Sequence, residues 1–245
     1  MILALDTGGN QLALALARVG RDGDLETLAV ERAPLRHGHG EALPAALEGL
    51  LQRAGVPAGS PDGVPADIPG SIPGGVAGIE LIAVSTGPGG FTGLRVGLAF
   101  AGGLALAGGA AIVGIPAFDA LAAALPPQAA GRSRLLAIDS RRAEPFIRLL
   151  DRAGRLVSER WIALDALAGL IGGDNVEVAG DAAEAVAAAL PGAALDILST
   201  DGVDPVVLAA LGHQRRATAR PDPPPPLYLR PPEARPMASA PATRA

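Results

Sequence analysis

One order of elements, readable twice along the chain, constrains the fold more than any other feature. Residues 2–5 form an apolar run expected as a strand. Leu12, Leu14 and Leu16 alternate in a second strand, and residues 25–31 supply a third. Gly8-Gly9-Asn10 and Gly20-Arg21-Asp22-Gly23 mark the turns between them. A helix over 41–54 follows, with Leu43, Leu47, Leu50 and Ala54 on one face and Pro44 in its first turn, where a missing N–H costs little. A strand at 81–84, a glycine loop, a helix to Ala107 and a strand at 111–114 complete the half. The second half repeats the order: strands at 134–138, 145–150 and 155–161, a helix at 164–171, a strand at 176–179, a helix after Gly180 and a strand at 195–198. Asp204-Pro205 then opens a last helix to Arg216, with Asp as cap and Pro at the first position.

Strand-strand-strand-helix-strand-helix-strand is the order of a ribonuclease H-like unit. Two such units side by side resemble the actin/Hsp70/sugar-kinase (ASKHA) architecture, an α/β fold of two mixed sheets with flanking helices. The expected division is an N-terminal lobe at 1–115, a C-terminal lobe at 116–230 and a disordered tail at 231–245. A Pro/Gly-rich surface insertion occupies 56–78.

Composition excludes several kinds of chemistry. With no cysteine among 245 residues, disulfides, thiol nucleophiles and thiolate metal sites are ruled out. The net charge of −5 argues against independent nucleic-acid binding, which rests on many phosphate contacts. Residues 96–118 contain no charged residue and are long enough to span a bilayer, yet Gly102-Gly103, Gly108-Gly109 and Pro116 break the run, so a buried helix and strand are expected rather than a membrane span. The opening run lacks a basic leader and stops at Asp6, so no signal peptide is read and a soluble, cytoplasmic protein is expected.

The stretch 85–97, Ser-Thr-Gly-Pro-Gly-Gly-Phe-Thr-Gly-Leu-Arg-Val-Gly, joins a strand to a helix N-terminus, a place where backbone N–H groups can face an anion. The chain has no lysine, so the P-loop pattern is not met. Arg95 lies in the first helical turn, where the macrodipole disfavours a cation, and is expected to have a carboxylate or an anion as partner. Asp6-Thr7-Gly8 ends the first strand and Asp139-Ser140-Arg141-Arg142 holds the matching place in the second half. Asp6, Thr7 and Asp139 are therefore the candidates for a vestigial nucleotide cleft, although two arginines replace the glycine-rich second turn of ATPases. His37-Gly38-His39 lacks a carboxylate at metal-ligand spacing, so no metal is assigned. Asp181 and Glu184 read as a capping box that accounts for Gly180-Asp181. Gly93, Gly97, Ala101 and Ala105 form a small-residue stripe suited to close internal packing. Leu94, Leu98 and Phe100 lie on other faces, an apolar surplus that suits contact with a partner chain.

Gly87-Pro88-Gly89-Gly90-Phe91-Thr92-Gly93-Leu94-Arg95 closely resembles the signature of the bacterial TsaB (YeaZ) family of tRNA threonylcarbamoyladenosine biosynthesis proteins. Residues 2–7, His39, 137–141 with Glu144, and Tyr228-Leu229-Arg230 agree in order and spacing. Two departures stand out: Gly90 replaces the family's usual Ser, and the aromatic after Glu144 is offset to Phe146. The resemblance implies a non-catalytic subunit that pairs with and activates the catalytic transferase, a paralogue of the same fold that modifies adenosine 37 of tRNA. It implies pairing through the two N-terminal helices, with Leu43, Leu47, Leu50, Leu94, Arg95, Leu98 and Ala101 at the contact. It also implies a small P-loop ATPase as third partner, self-association through the same surface, tRNA contact only through the complex, and at most weak or complex-dependent ATP or ADP binding. The alternative is an ATP-hydrolysing, kinase-like enzyme with Asp6 facing a metal. A metallopeptidase would need ligands that the sequence does not supply.

Overall fold

A computed structural model describes residues 1–56, 76 and 78–230; the expected insertion, apart from Val56, Val76 and Gly78, and the expected tail lie outside the described residues. The first sheet contains β1 (Ile2–Asp6), β2 (Gln11–Val19), β3 (Leu25–Pro34), β4 (Leu81–Gly87) and β5 (Ala111–Pro116), in the order β3-β2-β1-β4-β5. The second contains β6 (Ser133–Ile138), β7 (Phe146–Leu150), β8 (Leu156–Trp161), β9 (Val176–Ala179) and β10 (Leu195–Ser199), in the order β10-β9-β6-β7-β8. In each sheet the first three strands pair antiparallel and the last two join in parallel. The duplication expected from the sequence is therefore present in topology and strand direction, and the fold is a two-lobe ASKHA-like α/β fold.

The helices are α1 (His39–Arg53), α2 (Phe91–Gly108), α3 (Ala117–Ala123), α4 (Leu167–Ile171), α5 (Ala183–Ala189) and α6 (Pro205–Gln214). Three differ from expectation. α1 starts two residues early, after Gly38 in the left-handed region, so Pro44 falls in the second turn. α3 was not anticipated: seven residues show too little periodicity to separate a helix from the strand ending at Pro116. Asp181 does not cap α5, whose N-cap is Ala182 with no side-chain bond. The Asp204 cap of α6 is present, accepting from Val206 N.

Residue size assigns the faces of the first sheet. Leu3, Leu5, Leu12, Leu14 and Leu16 pack into one core with Leu43, Leu47 and Leu50 of α1 and Leu98 and Ala101 of α2. Ala4, Ala15, Ala17 and Ala83 line the opposite face, against Leu208 and Ala209 of α6. A Cβ on Gly212 would lie 2.5 Å from Ala83 Cβ, so small residues on both partners let α6 approach the sheet closely. α6 thus follows the second sheet in sequence and packs on the first. Each fully buried leucine in these clusters contributes about 1.5–3 kcal/mol through removal of apolar surface from water.

α2 is long and apolar enough to cross a membrane by length and composition, and its buried face packs as a core helix instead. Its smooth stripe meets the end of β1. A Cβ on Gly93 would lie 2.0 Å from Thr7 O, and one on Gly97 2.3 Å from Thr7 Oγ1. The second lobe has its own core around Ile147, Leu167, Val176, Val178 and Val186. Within it the buried Glu177 carboxylate accepts from Arg134 Nε (2.8 Å) and Nη2 (2.6 Å) and from Ala129 N (3.0 Å), so neither buried charge is left unpaired.

Candidate functional site

β1 and β6 occupy equivalent central positions, so the turns that follow them face each other across the lobe boundary. This brings Asp6 and Asp139 to the same region, as the sequence repeat implied, and β9 adds Asp181. Asp6 is buried; its Oδ1 accepts from Gly8 N (3.3 Å) and its Oδ2 has no partner. Burial pushes its carboxyl up from the ordinary range, opposed by the nearby Ser85 hydroxyl and the Gly8 and Gly9 backbone. Asp181 is pushed up to about 6 by burial, then by the nearby Asp139 and Asp6 charges, against the bond it accepts from Asp139 N (2.7 Å). Gly180 makes this reach possible: its φ is +116°, and a Cβ there would lie 2.0 Å from Ala137 O. The D-x-x-E pattern that suggested a cap concealed this role, because only tertiary contact brings Asp139 to the loop.

The remaining polar groups tie the lobes together. Asp139 Oδ2 accepts from Asn10 Nδ2 (2.7 Å) and Oδ1 from Arg141 N (2.7 Å), while Arg36 stands 3.9 Å away. Gln11 Nε2 donates to Val203 O (3.1 Å), and Arg32 pairs with Asp204 (2.8 Å). Arg141 holds φ +62°, a conformation that costs a bulky residue about 1–3 kcal/mol. From there its Nη1 donates to Arg36 O and its Nη2 to Gly9 O, placing the guanidinium across the gap between the two turns. It also lies over Gly90: a Cβ there would be 2.9 Å from Arg141 Nε. The glycine that departs from the TsaB-like signature therefore makes room for this arginine.

Thr7 is not free to meet a ligand, because its buried hydroxyl donates to Gly93 O (2.7 Å). The glycine loop is also partly closed. Gly90 N donates to Gly8 O (2.7 Å), and a Cβ on Gly89 would lie 2.8 Å from that same oxygen. Gly87 (φ +97°) and Pro88, joined by a cis peptide, carry the chain from β4 into this contact.

Arg95 corrects a second expectation. Its partners are aromatic: the guanidinium lies 3.8 Å from the Phe91 ring centroid, and Nε donates to the Tyr228 hydroxyl (2.8 Å). Phe91 and Tyr228 pack with centroids 5.2 Å apart. The signature helix is thus joined to 227–230, which Leu227 N anchors by donating to Thr86 O (2.8 Å).

Of the expected interface residues, Arg95 alone is exposed. Leu43, Leu47, Leu50, Leu94, Leu98 and Ala101 are buried in this chain's own core. Helical spacing groups them on one face but does not say which way that face turns. The outward face carries Ala42, Ala45, Ala46 and Gly49 on α1, and Ala99, Phe100, Gly103, Leu106 and Ala107 on α2, with Leu106 90% exposed.

Beside these turns lies a cleft of ≈ 920 Å³, bounded by the N-termini of α1 and α2, residues 140–142 and the 227–230 segment. His39 stands in its wall; burial lowers its basicity, and a bond to the Gln11 backbone opposes that. No group of three or more His, Cys, Asp or Glu able to hold a metal ion occurs among the described residues.

Comparison with known proteins places this geometry in context. The family model described as TsaD, tRNA N6-adenosine threonylcarbamoyltransferase, matches residues 71–202. YeaZ from Pseudomonas aeruginosa is similar in structure, with a TM-score of 0.63 and 23% identity over 93% of this chain and 99% of that one. A crystal structure described as an uncharacterized protein with similarity to peptidase YEAZ, from Pseudomonas aeruginosa, gives a TM-score of 0.62 and 23% identity, covering 94% of this chain and 99% of that one. These two likenesses establish the fold. No curated protein matches the chain by sequence.

Proposed function

The chain belongs to the tRNA N6-adenosine threonylcarbamoyltransferase family, and within it we propose that this protein is the non-catalytic TsaB-type subunit, which pairs with and activates the catalytic transferase acting on adenosine 37 of tRNA. The observation that carries this reading is the position of Arg141. Its guanidinium bridges the turns after β1 and β6, donating to Gly9 and Arg36 carbonyls where the nucleotide-hydrolysing alternative needs an open phosphate path. Asp139 is engaged by Asn10 and Arg141 N, which also counts against a metal-facing role.

The outward face of α1 and α2 supports a pairing surface. It is built from alanine, glycine, Phe100 and Leu106, so a second pair of helices can approach closely and remove apolar surface from water. The buried leucines first assigned to that surface instead hold the two helices on their sheet. In this reading the protein is a soluble cytoplasmic subunit, with the small P-loop ATPase as a further partner and tRNA reached through the complex.

The test is co-elution of the full chain with a catalytic transferase of the family, together with tRNA modification in the mixture. Ala99→Arg with Leu106→Arg should abolish co-elution and stimulation while leaving the circular dichroism spectrum unchanged. Retained pairing by that double variant, or threonylcarbamoyl transfer by this chain alone, would overturn the assignment.

A further inference from the structure

We propose that Arg95 positions the partner subunit, its guanidinium donating to an aspartate or glutamate on the partner's docking helices. This inference rests on the pairing reading above and adds to it the chemistry by which the surface is recognised. The exposed stripe of α2 is the first observation. Phe91, Arg95, Ala99 and Gly103 recur every four residues and are all exposed, with Leu106 beyond them, so they share one face. Arg95 is the only charged residue among the 18 of α2. Phe91, 50% exposed, and Tyr228, 40% exposed, lie against its guanidinium. This end of the stripe is therefore an exposed cluster of aromatic rings and arginine, the composition that anchors protein contacts.

Geometry specifies what the cluster lacks. The guanidinium stacks on Phe91 at 3.8 Å and Nε donates to the Tyr228 hydroxyl (2.8 Å), whereas Nη1 and Nη2 make no hydrogen bond or ion pair among the described residues. The side chain is thus held in place with its terminal nitrogens unsatisfied, a fork that a carboxylate fits bidentately. A helix laid along the alanine and glycine of the stripe strips water from Arg95, and a guanidinium covered without a counter-charge is strongly disfavoured. The N-terminal half of α2 also favours negative charge through the helix dipole, so a carboxylate at this point gains from both. A second copy of this chain fits less well. Its α2 has no acidic residue, and its α1 offers only Glu41 and Glu48, the latter already accepting from Gln52 Nε2 (3.4 Å).

Titration calorimetry of the full chain with a catalytic transferase of the family tests the proposal. Arg95→Gln should weaken pairing about 30-fold or more, as truncation of one member of a buried charge pair does, with the thermal unfolding midpoint unchanged. Tyr228→Phe, which keeps the ring and removes the hold on Nε, should weaken it about 2- to 10-fold. Charge exchange supplies a readout that a merely structural role would not move: Arg95→Glu should abolish pairing, and one Asp→Arg or Glu→Arg reversal on the partner's docking helices should restore it. Arg95→Gln pairing within about twofold of wild type, while Ala99→Arg with Leu106→Arg abolishes pairing, would overturn this inference and leave the pairing surface standing. Weakening that no partner reversal rescues would likewise overturn it, making Arg95 a packing residue. Failure of the wild-type chain to pair would overturn both readings, and Arg95-dependent association of the chain with itself alone would overturn the choice of partner.

Discussion

The same substitution at two glycines of α2 should have opposite effects. At Gly103 a Cβ meets nothing within 4 Å, so Gly103→Ala gains only helix propensity and reduced unfolded-state entropy, about 1 kcal/mol. At Gly93 the new Cβ would lie 2.0 Å from Thr7 O and 3.1 Å from Thr7 C, where ordinary contact begins near 3.4 Å. The obstacle is backbone, so no rotamer change relieves it, and the N-terminus of α2 must lift from β1. That lift costs about 1–3 kcal/mol in overpacking and strain, and about 1 kcal/mol more through loss of the Thr7 Oγ1 bond to Gly93 O. After the helix-propensity gain, Gly93→Ala should be net destabilising by about 1–3 kcal/mol. For a chain of this size each kcal/mol moves Tm by about 2–4 °C. Thermal unfolding, with urea unfolding as a check, should therefore place Gly93→Ala about 2–12 °C below wild type and Gly103→Ala about 2–4 °C above it. A Gly93→Ala protein as stable as wild type would refute the idea that this glycine exists to seat the helix on the first turn.

Two further predictions concern the lobe boundary. Asp181 is pushed up to about 6 in the folded chain, so between the ordinary 3.8 and 6 the folded state holds a proton that the unfolded state has released. Its stabilising contribution is present at pH 4 and lost as pH rises through 6. Asp181→Asn should flatten that part of the stability profile and raise stability at pH 7.5 by on the order of 2 kcal/mol relative to wild type, measured by urea midpoints across pH; an unchanged pH profile would count against the burial argument. Gly90→Ser should destabilise through collision with Arg141, and the cost should shrink by about 0.5–3 kcal/mol in an Arg141→Ala background; additive effects in the double-mutant cycle would mean that the two positions do not share space.

Much of the fold was legible because local periodicity suffices for it. Alternating leucines marked β2, glycine and asparagine marked its turn, and Asp204-Pro205 marked the start of α6. The site was less legible. Asp6 and Asp139 could be matched through the repeat, but Asp181 was hidden by a local pattern that had its own sufficient explanation. Arg95 was expected to face a carboxylate because the helix dipole argument ignores aromatic rings, and Phe91 and Tyr228 are 137 positions apart in the chain. The partner face failed for a related reason: the leucines of α1 and α2 satisfy the same spacing whether they meet their own sheet or another protein.

By itself, then, the sequence determined the order of elements, the duplicated lobe and the glycine signature, since each depends on residues within a few turns of one another. Tertiary structure decided which helix face is buried, where α6 docks, and what the glycines of the signature are for. Gly89, Gly90 and Gly93 serve the approach of backbone and of Arg141 more than the cradling of a phosphate. Those outcomes depend on excluded volume and charge between residues that only the fold brings together.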